Sequence, residues 1–176
     1  MPTLYDPVDF SLQDFTNSFT LSTDLWERFD ISDLNVDYTQ WNVAKMMSDS
    51  GELHEDIASI PNTYGGIYVY TIRPPVIPQC GDYIMYIGMA SKTDTENLQY
   101  RVRSYRREFG PSYKRERLHR LFSQWGKYVY VKFLPVDASK EQIETLEDRL
   151  IAAFVPQCNA QIRIKSVKQA VNAFRG

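Results

Sequence analysis

Two short runs, Gly66 to Ile72 (GIYVYTI) and Tyr83 to Ile87 (YIMYI), constrain the fold of this chain more than any other feature. Both consist largely of β-branched and aromatic residues, which suit a pleated and buried surface. They flank a Pro- and Gly-containing stretch, Pro74 to Gly81, so the natural reading is a β-hairpin with a long loop. The sequence beyond the hairpin is equally periodic. Thr93 with Glu96 three residues later reads as a capping box, and Leu98, Val102, Tyr105 and Phe109 then recur at helical spacing until Gly110 and Pro111. Leu118, Leu121, Phe122 and Trp125 define a second amphipathic helix that Gly126 can end. Tyr128 to Leu134 (YVYVKFL) alternates as a third strand. Ser139 with Gln142 is another capping-box pair, and Ile143, Leu146, Leu150 and Phe154 mark a third helix that ends before Pro156. The order strand, strand, helix, helix, strand, helix predicts an α+β fold, a small three-stranded antiparallel sheet flanked by helices.

With 176 residues and 43% hydrophobic content, the chain can bury one core plus a modest extension. We divide it into an acidic N-terminal extension (1–62), a regular domain (63–161) and a basic tail (162–176). The extension mixes small apolar clusters (Phe15 and Phe19, Leu25 and Trp26, Ile31 and Leu34) with many Asp and Ser. It is predicted to be helical, with one helix around Thr39 to Met47, and to end at Pro61 and Asn62. The tail is predicted helical too. There is no apolar run of membrane-spanning length and no secretory leader pattern, so the expectation is a cytoplasmic protein with no membrane role. Cys80 and Cys158 lack the paired spacing of a zinc site and read as ordinary buried or loop cysteines.

The net charge of −2 conceals an uneven distribution. Residues 1 to 60 hold twelve acids against Arg28 and Lys45, a local net of −10, whereas residues 92 to 132 hold eleven Lys and Arg against four acids, a local net of +7. A charge run is most often a solvated helix face. It also suits a polyanion, because Lys and Arg displace the counterions condensed on phosphates. On that reading the nucleic-acid contacts are Lys92, Arg103, Arg106, Arg107, Lys114, Arg115, Arg117, His119 and Arg120, with Arg163, Lys165, Lys168 and Arg175 in the tail able to add backbone contacts. For His119 a structural or DNA-contacting role ranks well above catalysis.

Reactive side chains fall on the same outline. Tyr68 lies on the first strand of the hairpin, Tyr86 on the second, Arg101 and Tyr105 one turn apart on the first helix, and Glu147 on the third. A helix carboxylate can hold one Mg²⁺ together with water, and an arginine offers a permanent charge with a donor fork suited to phosphate. A tyrosine hydroxyl can orient or deprotonate water with help from a metal or a neighbouring cation.

Gly66-Ile67-Tyr68 and Tyr86-Ile87-Gly88 are the two tripeptides that give the GIY-YIG nucleases their name, and the chain resembles that family. Asn97 to Tyr105 (NLQYRVRSY) looks like the helix of the excinuclease C nuclease domain, and Leu146 to Asn159 (LEDRLIAAFVPQCN) is similar to the family's closing helix and turn. The resemblance covers about 100 residues and implies a GIY-YIG fold over 63–161. It further implies one divalent ion, Mg²⁺ or Mn²⁺, bound by Glu147, a water activated by Tyr68, and charge stabilisation by Arg101. Tyr86 and Tyr105 would position water and phosphate, and Asn159 would brace the site. The products would carry a 5′-phosphate and a 3′-hydroxyl. Two positions depart from the family: Met89 stands where many members carry a lysine, the nearest lysine being Lys92, and the loop between the tripeptides is longer than usual.

The expectation is therefore a divalent-metal-dependent DNA endonuclease of restriction or phage-defence type. The alternative is a nuclease subunit active only in a complex, with residues 1–62 as a docking, dimerising or autoinhibitory segment, since a stretch of net −10 is a poor phosphate binder. A catalytically silent nucleic-acid-binding module is disfavoured, because every landmark residue is present.

Overall fold

In the computed structural model, residues 17–37, 39–77 and 81–174 are described. In chain order they form α1 (Thr23–Arg28), β1 (Asn42–Lys45), β2 (Gly65–Ile72), β3 (Tyr83–Ala90), α2 (Leu98–Arg103), α3 (Glu116–Trp125), β4 (Val129–Val136), α4 (Lys140–Phe154) and α5 (Lys165–Phe174), with 3₁₀ turns at Glu55–Ser59, Ser104–Glu108 and Gly126–Tyr128. Phe15, Pro78, Cys80 and Arg175 lie outside the described residues. No helix among the described residues is long and apolar enough to cross a membrane.

The sheet is antiparallel, in the order β1-β4-β2-β3. It has four strands where three were expected. The added strand is β1, within the stretch whose spacing predicted a helix over Thr39 to Met47. Its residues are drawn out by long-range pairing, with Asn42 opposite Phe133 and Lys45 opposite Tyr130, while the next residue, Met46, drops fully into the core. A four-residue strand in a polar neighbourhood offers little period-2 signal, so the spacing of Val43 and Met47 passes for a helix face. Residues on both sides of position 62 thus contribute to one sheet and one apolar cluster, in which Met46, Ile57 and Ile60 pack with Tyr68 and Tyr70.

β2 is the central strand, and all eight of its residues are buried. Its alternation divides the interior. Tyr68, Tyr70 and Ile72 face the side covered by α2, α3 and the segment around Met46 to Ile60, whereas Ile67 and Val69 face Leu146, Leu150 and Ile151 of α4. The glycines of the two tripeptides have distinct steric reasons. Gly66 adopts φ +146 where the β4 backbone crosses so closely that a Cβ would stand 2.1 Å from the Leu134 carbonyl oxygen. Gly88 is paired with Tyr68, and a Cβ there would meet the Tyr68 hydroxyl at 2.4 Å. Each tripeptide makes room for its neighbour, the second by letting the first one's tyrosine lie across it.

The helices start largely where caps permit. Ser139 and Gln142 form the expected reciprocal capping box of α4. Thr93 instead makes a local turn, accepting from the Glu96 amide, and the N-cap of α2 is Asn97, which accepts from Tyr100 N–H at 2.8 Å. The periodicity from Leu98 to Phe109 is carried by a short α-helix that tightens into a 3₁₀ turn. At its far end α4 stops on Val155, a β-branched residue in the left-handed region (φ 46, ψ 56). Such a conformation costs on the order of 1–3 kcal/mol. It turns the chain sharply, so that Pro156 to Asn159 return along the outer edge of β3.

Candidate active site

Three tyrosines from three elements meet behind the sheet's open end. The Tyr105 hydroxyl lies 2.6 Å from that of Tyr68 and 3.1 Å from that of Tyr86, making a continuous chain of three phenols. Tyr68 and Tyr105 are buried, and Tyr86 is only partly so. Burial is the main force raising the pKa of Tyr68 and of Tyr86 above the usual phenol value, and the neighbouring tyrosines add to it. Tyr68 and Tyr86 are therefore neutral in the resting protein, as hydrogen-bond partners and not as anions.

The outer end of this chain opens on a cleft of about 530 Å³ lined by Tyr86, Arg101, Lys114, Arg115, Glu147 and Arg163, among others. Tyr68 and Tyr105 do not line it; they stand behind Tyr86. Arg101 reaches the cleft from α2, with Glu96 as a loose partner at 3.6 Å. Arg115 arrives from the start of α3, its guanidinium 4.7 Å above the Tyr105 ring. No described residue before Tyr86 lines the cleft, so the described part of the acidic extension leaves it uncovered.

Glu147 enters from α4 and is only 8% exposed. Burial pushes its carboxyl up to about 7, against the opposing pull of Arg163, whose guanidinium lies 3.4 Å away, and of the Met89 backbone amide. Asp148, beside it in the same cleft, is also raised, again mainly by burial. Among the described residues no three His, Cys, Asp or Glu side chains converge as a multi-ligand metal centre. A hard divalent cation would instead take Glu147 as its protein ligand and water for the rest, which Mg²⁺ tolerates. A buried carboxylate with its charge incompletely balanced, facing a polar cleft, fits that role.

Asn159 is 8% exposed and does not reach out to bind anything in the cleft; its amide is consumed in the fold. Its Oδ1 accepts from Ile87 N–H at 2.9 Å, and its Nδ2 donates to the Ile87 carbonyl at 2.8 Å. Cys158 N–H donates to the Met85 carbonyl at 2.9 Å. The outward-facing backbone groups of residues 85 and 87 thus hold the return segment in register with the second tripeptide. The Cys158 thiol is pushed up to about 11 by burial, out of the reactive range.

The remaining basic residues separate into two groups. Lys114, Arg115 and Arg117 line the cleft, with Arg117 also donating to the carbonyls of Gln157 and Asn159. The others lie elsewhere: Arg106 is paired with Glu52 at 2.6 Å, Arg107 with Glu108 at 3.4 Å, and Arg120 donates to Gln124. Lys92 reaches the Asn62 carbonyl, and Arg103 is exposed at the end of α2. The His119 ring stacks on Tyr113 at 4.1 Å and its Nδ1 bonds the Glu108 carbonyl oxygen. Two side chains at or behind the cleft carried no sequence signal of their own. Arg163 stood out only as one of several tail cations. Glu108 is one of four acids in the basic stretch 92–132, and nothing in its spacing sets it apart.

Compared with protein-family models, curated proteins and solved structures, the chain matches none.

Proposed function

We propose that this chain is a GIY-YIG nuclease, a divalent-metal-dependent endonuclease that hydrolyses DNA phosphodiester bonds. The observation that carries the reading is the convergence on one cleft, from separate elements, of a three-phenol chain, Arg101 and the buried Glu147. Each tripeptide contributes one of the phenols, and Gly88 gives the first of them its place.

A phosphodiester in the cleft would lie among the cations of Arg101, Lys114 and Arg115, whose N–H groups can hold its non-bridging oxygens. Arg101 and Arg115 stay charged through the reaction, so they stabilise the extra charge that grows on those oxygens as water attacks. Tyr86 is the phenol that meets a water in the cleft. Tyr105 and Tyr68 lie further along the chain and keep their protons; they fix the Tyr86 hydroxyl by hydrogen bonding so that it orients the water for attack. A metal ion bound at Glu147 would supply Lewis-acid polarisation of the phosphate and a more acidic water. The water oxygen forms the new bond to phosphorus while the P–O bond to the 3′ oxygen breaks, and the proton the water loses passes through solvent in the cleft to the departing 3′ oxygen.

The setting we infer is a stand-alone endonuclease of restriction or defence type; the alternative is a subunit active only in a complex, with residues 1–62 as a docking or autoinhibitory segment. The test is incubation of the purified chain with plasmid, linear and single-stranded DNA, with and without Mg²⁺ or Mn²⁺. Cutting that needs the metal and is lost in Glu147→Gln and Arg101→Ala is expected. Cutting unchanged in either variant defeats the assignment, and cutting only after addition of a cell extract supports the subunit reading.

A further inference from the structure

We propose that Glu108 is a positioning residue for this cleft, fixing the loop from Gly110 to Arg115 so that Arg115 is held over Tyr105 as a phosphate-binding arginine beside Arg101. The phosphate role rests on the nuclease reading; the positioning does not.

Glu108 has no exposed surface, an uncommon state for a carboxylate. Its Oε2 accepts from the backbone N–H of Lys114 at 2.9 Å and of Arg115 at 3.0 Å. Its Oε1 has Arg107 at 3.4 Å and is otherwise without a hydrogen bond. Burying an acid this deeply is unfavourable unless its contacts are specific, and the contacts here are the two amides that set the direction of the loop's last residues. Arg115 is the N-cap of α3 but makes no side-chain cap bond. Small polar residues usually fill that position. Glu108 binds the amides of this N-cap residue and of the one before it, which fixes the backbone from which the uncapped Arg115 side chain extends to the cleft. The loop itself, with Gly110, Pro111 and Ser112, contains nothing that would hold it in regular structure. Its second anchor leads back to the same residue, through the His119 ring that stacks on Tyr113 and bonds the Glu108 carbonyl. Tyr105 and Glu108 share one 3₁₀ turn, so the arginine and the phenol beneath it are referenced to a single piece of backbone.

The experiment combines Glu108→Gln, Arg115→Ala and the double variant, with Glu108→Asp as the second single variant should the glutamine chain fold poorly. In NMR spectra the Arg115 side-chain protons should show an upfield ring-current shift from Tyr105 in the wild type, reduced in the Glu108 variants, with faster exchange of the Lys114 and Arg115 amides. An unchanged ring-current shift overturns the positioning role. Binding of a short DNA duplex in EDTA should weaken about tenfold in Glu108→Gln and in Arg115→Ala, and the double variant should be no weaker than Arg115→Ala alone. Additive losses overturn the claim that Glu108 acts through Arg115. A wild type that neither binds nor cuts duplex refutes the nuclease reading and the phosphate role with it, while the ring-current measurement still decides the positioning.

Discussion

Glutamine in place of Glu147 removes a charge that the fold holds in an unfavourable setting, and the consequence can be worked out for stability separately from catalysis. The carboxyl is lifted from its ordinary 4.5 to about 7, chiefly by burial. Between those values the folded chain keeps a proton that the unfolded chain has already lost, so stability falls as pH rises through that interval and stays low above it. At about 1.4 kcal/mol for each pH unit, the penalty above pH 7 is about 3 kcal/mol. Glu147→Gln does not titrate. It gives up the Arg163 contact at 3.4 Å and the weaker pulls of the Met89 amide and Arg101, all already counted in the net rise of the carboxyl, and the Arg163 side chain is 52% exposed. In EDTA, urea unfolding should therefore show the variant level with wild type near pH 4.5 and about 2–3 kcal/mol more stable at pH 8. Millimolar Mg²⁺ should raise the midpoint of wild type and leave that of the variant unmoved. Equal stability differences at the two pH values, or a wild type that is the more stable at pH 8, would refute the account of how burial acts on this carboxylate.

Three further outcomes rest on the same geometry. Asn159→Ala strips both hydrogen bonds from the Ile87 backbone and should lower unfolding free energy by about 2–4 kcal/mol, measured by chemical denaturation. Gly88→Ala places a methyl 2.4 Å from the Tyr68 hydroxyl; it should cost about 1–3 kcal/mol and displace that ring, visible as a changed near-ultraviolet tyrosine circular dichroism band. Tyr105→Phe removes the middle hydroxyl of the phenol chain. It should reduce DNA cleavage by about 10²-fold or more while far-ultraviolet circular dichroism is unchanged, and cleavage at the wild-type rate would exclude a part for Tyr105 in holding Tyr86 toward the attacking water.

Legibility in the sequence depended on whether the determining interactions were local. The hairpin, α3, β4 and α4 follow from alternation, helical spacing and a capping box, all written within a few neighbouring residues. β1 was not legible, because its extended shape comes from pairing with β4, far along the chain. The grouping of Tyr68, Tyr86, Arg101, Tyr105 and Glu147 was suggested by motif spacing, but their depth was not. That Tyr68 and Tyr105 lie behind Tyr86 depends on side-chain packing across the sheet and α2, which spacing does not encode. Glu108 escaped notice because its role is defined by where a loop returns.

The outer side of β3 carries a further meaning. Its backbone groups at Met85, Ile87 and Met89 would form a ready template for a strand from another molecule if they were left open. Those of Met85 and Ile87 are occupied instead by the Cys158 amide and the Asn159 side chain. The residues that arrange the cleft thereby also deny this border to foreign strands, so loss of Asn159 exposes the chain to edge-to-edge association as well as to a weaker fold.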